Sequence, residues 1–392
     1  MTGDSIGVAV VGLGMAGRAH AQGYRLANAV FDPDLPPVRL VAVADAYEPF
    51  ARDAARRYGY QRAETSWQAV AEAPDVDAVS VVVANSLHQE VVTGLLAAGK
   101  HVLCEKPLAP TVEDAQAMVA AAEGSDRVAA VGFTFRRSPA ITAIRQQIDA
   151  GGIGPVLHFD GHYWCDYGSS PQAPMSWRYQ GPPGSGALAD IGSHLVDVAE
   201  YLCGPLASVR GSVLSTYVAD RPRATGVAVG HAATEVSTER DPVENEDVAT
   251  FTATFASGAT GTFSVSRVAH GLPNSLGFTV FGRGGAASFD LARPAELAVS
   301  DGSSPPATSG YRQVLIGPAH PYLTRGLPMD FPGVGHGVND FFTFQARAFL
   351  DQVAGVERLP PCPPLRHGLH NLQILRAVVQ AAGAPAQAVT VP

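Results

Sequence analysis

Within the first seventeen residues an apolar run, Val8-Ala9-Val10-Val11, passes into Gly12-Leu13-Gly14-Met15-Ala16-Gly17. Glycines spaced G-x-G-x-x-G, after a strand-like run and before a helix-like one, leave a chain few choices. Gly12 permits a tight turn, Gly14 lets a ligand approach the backbone, and Gly17 lets the helix pack close to the strand. The N-terminus of that helix then presents free N–H groups and a partial positive charge. A pyrophosphate suits such a place, with Gly12, Gly14, Met15 and Ala16 lining it. A plain glycine turn is the simpler reading, and the following elements decide against it. The second apolar run, 40–44, ends on Asp45, whose carboxylate suits ribose hydroxyls and repels a 2′-phosphate. Asp45 lies 28 residues after Gly17, beyond the usual ~20, and the Pro-rich insertion 31–38 accounts for the excess. No Arg or Lys follows in Ala46-Tyr47-Glu48, so NAD is favoured over NADP. Asp45 also reads as a cap for the next helix, and the two roles are compatible.

The alternation continues to about residue 135. Continuous apolar runs at 7–11, 40–44, 78–84, 101–104 and 128–133 predict strands covered on both faces. Between them, 16–28, 49–58, 87–98 and 112–122 predict helices; Gly99 stops the third, and Thr111 with Glu113 and Asp114 starts the fourth. This is the pattern of a Rossmann-type doubly wound parallel sheet over residues 1–135. The character then changes over 136–392. Helical 139–150 ends at Gly151-Gly152, and alternating stretches such as 156–163 and 249–267 predict an open, mostly antiparallel sheet. The fold class is therefore α/β in both domains. Further helices are predicted at 187–202, 338–353 and 367–382, the last expected to pack back on the first domain. Segments 220–247 and 301–339 show no period, and the second is expected to be ordered against a pocket.

Lys and Arg number 27 against 36 Asp and Glu, a net charge of −9. That argues against a nucleic-acid partner, which needs excess cations, and against a polybasic membrane anchor. No run approaches the ~18 apolar residues of a membrane span. The N-terminus has no signal-peptide pattern, so a cytoplasmic location is expected. The cysteines at 104, 165, 203 and 362 lie 38 or more residues apart, and His, Asp and Glu do not cluster at ligand spacings. Neither a redox pair nor a metal site is expected.

Three further segments carry a resemblance. His101-Val-Leu-Cys-Glu105-Lys106-Pro107 resembles the E-K-P signature of the glucose-fructose oxidoreductase, inositol dehydrogenase and MocA (Gfo/Idh/MocA) family. Val83-Ala84-Asn85-Ser-Leu-His88 resembles that family's segment facing the nicotinamide ribose, with Ala84 where the family has proline. Gly186-Ala-Leu-Ala-Asp190-Ile-Gly-Ser-His194-Leu-Val-Asp197 resembles its D-x-x-x-H helix. Ser176-Trp177-Arg178 and Gly317-Pro-Ala-His-Pro321 look most like the levoglucosan dehydrogenase group within it. The resemblance runs over nearly the whole chain. It implies a cis bond before Pro107, and Ala84, Asn85, His88, Glu105 and Lys106 at the cofactor. It also implies a C-terminal domain that binds substrate and associates through its sheet into a homodimer or homotetramer.

The implied chemistry is oxidation of a ring secondary alcohol of a sugar, an anhydrosugar or a cyclitol. Hydride leaves carbon for the nicotinamide, and the hydroxyl proton needs a base that titrates near neutrality, which His194 provides. Asp190 and His194 are four apart and share a helix face, so Asp190 can orient the imidazole. Lys106, at the end of a parallel strand, can stabilise a developing alkoxide. The stripe Asp190, His194, Asp197 and Tyr201 beside Ile191, Leu195, Val198 and Leu202 equally describes an ordinary amphipathic helix. Tyr163, Asp166, Trp177 and Arg178 offer the flat apolar surfaces and polar handles that sugars need. His336, between glycines, either closes over substrate or caps the helix from 338. His20 and Cys104 read as packing residues, and Asp197 as either a supporting or a solvated carboxylate. Two other functions remain open: a non-catalytic NAD-binding regulator, and a redox-assisted reaction with retained cofactor.

Overall fold

A computed structural model describes residues 5–31, 35–226, 234–302, 305–324, 327–329, 331, 333–384 and 386–392. They form two units, one over 1–137 and 317–369, the other over 138–316 and 370–392.

In the first unit β1 (Ile6–Val11), α1 (Met15–Val30), β2 (Val38–Ala44), α2 (Glu48–Tyr58), β3 (Arg62–Glu64), α3 (Trp67–Glu72), β4 (Ala78–Val81), α4 (His88–Ala97), β5 (His101–Glu105), α5 (Val112–Glu123) and β6 (Ala129–Gly132) alternate. Their six strands run parallel in the order β3-β2-β1-β4-β5-β6. Strand order reverses between β1 and β4, which opens a crevice at the carboxyl ends of the strands. Every residue of β1 is buried, which is why its run is apolar without alternation. Gly99 takes φ +75° after α4, and the Thr111 hydroxyl accepts from Asp114 N at 3.0 Å to cap α5. The sequence reading did not include β3 or α3; three and six residues are too short to show a period.

The second unit opens with α6 (Pro139–Asp149) and β7 (Val156–Trp164), followed by α7 (Ser193–Cys203) and β8 (Leu206–Ser215). Then come β9 (Asp220–Ala224), β10 (Val236–Pro242), β11 (Val248–Phe255), β12 (Thr260–Ser266), β13 (Ser275–Gly282), β14 (Gly285–Asp290), β15 (Glu296–Asp301) and β16 (Arg312–Leu315). Among the described residues the sheet has nine strands, ordered β16-β15-β14-β13-β7-β12-β11-β8-β17, where β17 is Val389–Thr390. Neighbours are antiparallel except β7 with β12.

Its inner face carries an aromatic row. Phe251 of β11 stacks on Phe263 of β12 at 4.6 Å, and Phe278 of β13 on Phe289 of β14 at 5.6 Å. On β7 the register puts Gly161 between Phe263 and Phe278. A Cβ there would come 2.6 Å from the Phe159 ring and 3.0 Å from Leu195, so the gap in the row is where α7 docks. That contact fixes the height of His194, the neighbour of Leu195.

The segment 220–247, without a period in sequence, contains the β9–β10 hairpin; its residues 227–233 lie outside the description. Of 301–339, the residues 303–304, 325–326, 330 and 332 likewise lie outside it. In the first unit α8 (Val338–Ala354) packs on α1, where a Cβ at Gly23 would meet Phe342 O at 2.8 Å. The last helix, α9 (Leu365–Gly383), belongs to the first unit through Leu369 and to the second beyond it.

Candidate active site

The glycine loop has the geometry its spacing predicts. Gly12 has φ +92°, and a Cβ there would strike Val82 O at 2.4 Å. A Cβ at Gly17 would lie 1.8 Å from Gly12 O, so helix and strand touch backbone to backbone. Gly14 differs: a Cβ there would meet nothing within 4 Å, and no side chain caps α1, whose N-cap Gly14 is. Protein packing does not require a glycine at 14, whereas an anion drawn up to the uncapped N–H groups does. The residues present therefore fit a pyrophosphate. Met15 is 59% exposed beside them and Ala16 half-buried.

Asp45 is half-buried at the end of β2. Its Oδ2 accepts from Leu13 N at 2.7 Å and its Oδ1 from Tyr47 N at 2.9 Å. It thus pins the glycine loop and turns the chain into α2. A carboxylate accepts about four bonds, so capacity remains for ribose hydroxyls.

Glu105 and Lys106 close β5, and the Lys106–Pro107 bond is cis, as the resemblance implies. Glu105 is buried; its Oε1 lies 2.9 Å from His20 Nε2 and its Oε2 accepts from Lys106 N at 3.2 Å. His20 Nδ1 lies 3.1 Å from the Ser80 hydroxyl, which lies 2.8 Å from the Tyr24 hydroxyl. A neutral His20 satisfies all of these when Nε2 donates to Glu105 and Nδ1 accepts from Ser80. His20 is thus more than a packing residue. Burial keeps the Tyr24 phenol protonated by pushing its pKa up.

Ala84 and Asn85 are half-buried in the turn after β4. His88, expected at the cofactor, is 1% exposed and faces backbone instead. Its Nε2 lies 3.1 Å from Val83 O, and its Nδ1 lies 3.1 and 3.2 Å from Pro107 O and Leu108 O. Desolvation lowers its pKa. The imidazole therefore ties the chain at Val83 to the Pro107–Leu108 segment.

In the second unit the predicted helix 187–202 begins as a π turn, Leu188–Gly192, before α7. Such turns recur at functional sites, and this one carries Asp190. Glu246 caps it, its two carboxylate oxygens accepting from Leu188 N at 3.0 Å and Gly184 N at 2.7 Å. The Tyr167 hydroxyl donates to Asp190 Oδ2 at 2.7 Å. His194 is 9% exposed, with the Tyr163 ring 6.1 Å away, centroid to centroid. The Tyr163 hydroxyl donates to Asn274 Oδ1 at 2.9 Å. Asp197 is 3% exposed, so it is not a solvated carboxylate.

The loop 165–180 brings Asp166, Tyr167, Trp177 and Arg178 to this unit. Two fully buried arginines hold it: Arg221 donates to Gly168 O and Ser170 O, and Arg267 donates to Arg178 O at 2.8 Å. Both guanidiniums lie over the Tyr179 ring, at 3.8 and 4.6 Å. Arg267 is paired with Asp247 at 2.8 Å, and Asn245 donates to Arg178 O and Gln180 O. Trp177 is 49% exposed with the Arg178 guanidinium 4.4 Å over its ring. Sequence reading missed Tyr167, Asn245, Glu246, Asp247, Arg221 and Arg267. The run of polar Asn-Glu-Asp just before the alternating β11 was the available signal.

His336, in the first unit, is buried against Phe341 at 5.9 Å. It does not cap α8: the N-cap is Gly337, and Asp340 accepts from Gly337 N at 2.7 Å. Among the described residues no group of three or more His, Cys, Asp or Glu could hold a metal ion, and no helix is long and apolar enough to cross a membrane.

Two family models match. The oxidoreductase family with an NAD-binding Rossmann fold (Gfo/Idh/MocA) covers residues 6–133, and the C-terminal domain of the same family covers 141–288. A levoglucosan dehydrogenase of Pseudarthrobacter phenanthrenivorans is 36% identical over 348 residues, 86% of this chain and 89% of that protein. The NAD(+)-dependent scyllo-inositol 2-dehydrogenase of Bacillus subtilis is 31% identical over 52% of this chain and 56% of its own length. A solved levoglucosan dehydrogenase in complex with NADH and levoglucosan superposes with TM-score 0.89 at 33% identity, over 99% of this chain and 100% of that one. The chain belongs to the Gfo/Idh/MocA family of NAD-binding oxidoreductases.

Proposed function

We propose that the chain catalyses NAD-dependent oxidation of a ring secondary alcohol of a sugar, anhydrosugar or cyclitol to the ketone. Bound NAD supplies the hydride acceptor. Gly12, Gly14, Met15 and Ala16 hold the pyrophosphate, Asp45 takes the ribose hydroxyls, and Ala84, Asn85 and Glu105 shape the nicotinamide end. His194 accepts the hydroxyl proton, Asp190 orients its imidazole, and the Lys106 ammonium stabilises the oxyanion as hydride leaves. Tyr163, Asp166, Trp177, Arg178 and His336 are the proposed substrate contacts. An anhydrosugar is the favoured substrate, since the levoglucosan dehydrogenase likeness extends over nearly the whole chain. The enzyme is proposed to be cytoplasmic and a homo-oligomer.

The observation that carries this reading is a pairing. The uncapped α1 with an open Gly14 suits an anionic cofactor. The Tyr167-bonded Asp190, on a π turn leading to His194, suits proton transfer. The test is a screen of anhydrosugars, sugars and cyclitols following absorbance of the reduced nicotinamide, with NAD and NADP in parallel. Lys106→Ala and His194→Ala should each cut turnover by ~10² while NAD still binds. A protein that binds NAD yet reduces none across the panel is a regulator instead, and the reading is lost.

A further inference from the structure

We propose that Tyr167 is a positioning residue of the reaction, holding the Asp190 carboxylate ionised and in one orientation through the hydrogen bond from its hydroxyl to Oδ2. The proposal rests on the reading above, in which Asp190 acts on His194.

The bond joins two independently fixed elements. On one side Asp190 sits in a π turn whose first N–H, that of Leu188, is held by Glu246, which also holds Gly184 N just before the turn. On the other, Tyr167 lies in a loop whose next residue is held at both ends of its backbone. Gly168 N donates to Arg267 O at 2.7 Å and Gly168 O accepts from Arg221, with the glycine packed so close to Arg267 that a Cβ would meet its carbonyl oxygen at 2.9 Å. A phenol on so rigid a loop selects one carboxylate rotamer rather than following it. The chemistry of the donor suits the task. Burial, and after it the neighbouring Asp190, push the Tyr167 phenol well above its ordinary range, so it stays a neutral donor throughout the working pH. A donor to a carboxylate favours the charged form, and an imidazole that becomes cationic on taking a proton needs that charge beside it. Tyr163 and Cys165, on and just after β7, and Arg267, just after β12, also act on the pair electrostatically. A serine or an asparagine would not fill this place, because only a ring carries the hydroxyl so far from a backbone locked at residue 168.

The test is Tyr167→Phe, which keeps the ring and deletes the donor. Expected are a turnover about tenfold lower, unchanged NADH affinity by fluorescence titration, and an acidic limb of kcat/KM moved to higher pH. On an Asp190→Asn background the same substitution should have little further effect on turnover, since both act through one group. A melting point lowered with turnover and pH profile unchanged would show a merely structural hydroxyl and overturn the proposal. Should the protein oxidise no polyol at all, the functional reading fails separately. The proposal is then judged by 13C NMR titration of the Asp190 carboxyl, whose pKa should rise in Tyr167→Phe and stand still if the idea is wrong.

Discussion

Two jobs are proposed for the one carboxylate of Asp45, and substitutions can separate them. Its bond to Leu13 N fixes the glycine loop, while at the proposed ribose site its charge would disfavour a 2′-phosphate. Asp45→Asn keeps an acceptor for Leu13 and removes the charge; Asp45→Ala removes both. Fluorescence titration should therefore show Asn relaxing the preference for NADH over NADPH by about tenfold or more, ~1.4 kcal/mol, with little loss of NADH affinity. Ala should relax it and weaken both cofactors. Equal discrimination in all three proteins would remove Asp45 from the ribose site. The legible residues of this chain share one property with Asp45: each sits in a short motif or at the end of an apolar run, so it is marked along the chain even where its partner is distant. Gly12 must take φ +92°, Gly17 must admit the Gly12 carbonyl, and Pro107 follows Lys106 through a cis bond. Tyr167 and Asp190 are 23 residues apart, Glu246 and Leu188 are 58 apart, and Arg267 and Arg178 are 89 apart. No pattern along the chain joins such partners, so these contacts became visible only in three dimensions.

Elements followed the same rule. The buried strands of the parallel sheet were legible because both faces are covered, and the long helices because caps such as Thr111 and stops such as Gly99 mark them. The π turn was not, since Asp190 to His194 reads as one α-helical face until Glu246 is seen to hold Gly184 N and Leu188 N together. Burial raises the Glu246 pKa, and those two N–H donors oppose it. Glu246→Ala should destabilise the protein by about 1–3 kcal/mol in chemical denaturation and lower turnover by releasing Asp190. A variant with full stability and turnover would show that the turn holds itself. A second tie at this scale is pH-dependent. His370 on α9 lies 3.0 Å from Glu200 on α7, and this bond holds its pKa above the ordinary value. A raised folded pKa stabilises fully below the unfolded value and is lost as pH rises through the folded one. The melting-point gap between wild type and His370→Gln should thus be wider at pH 6 than at pH 8.5. A gap that does not vary with pH would mean the imidazole is not charged in the folded protein.

At the scale of the molecule the second unit's sheet has two different faces. Across β11, β12, β13 and β14 the inner row is Phe251, Phe263, Phe278 and Phe289. One residue along, the outer row is Thr252, Thr262, Asp160, Thr279 and Ser288, in register across five strands and half-buried or exposed. Nine strands at ~4.8 Å spacing make a face on the order of 1,000 Å². A standard interface needs about 800 Å² from each partner. A polar, largely β-branched surface of that size suits pairing with a second copy of itself, since a two-fold contact lets the same patch serve both partners. The resemblance pointed to this sheet, and the outer row is where such a contact is proposed to form. Sedimentation velocity at micromolar concentration should find the protein as a dimer or tetramer. Thr262→Arg, which sets a long cationic side chain in the middle of the row, should raise the dissociation constant by about a hundredfold, ~2.7 kcal/mol, with the melting point of the protomer little changed. A wild type that sediments as a monomer, or a variant that associates as tightly, would leave the outer row as an ordinary solvated face.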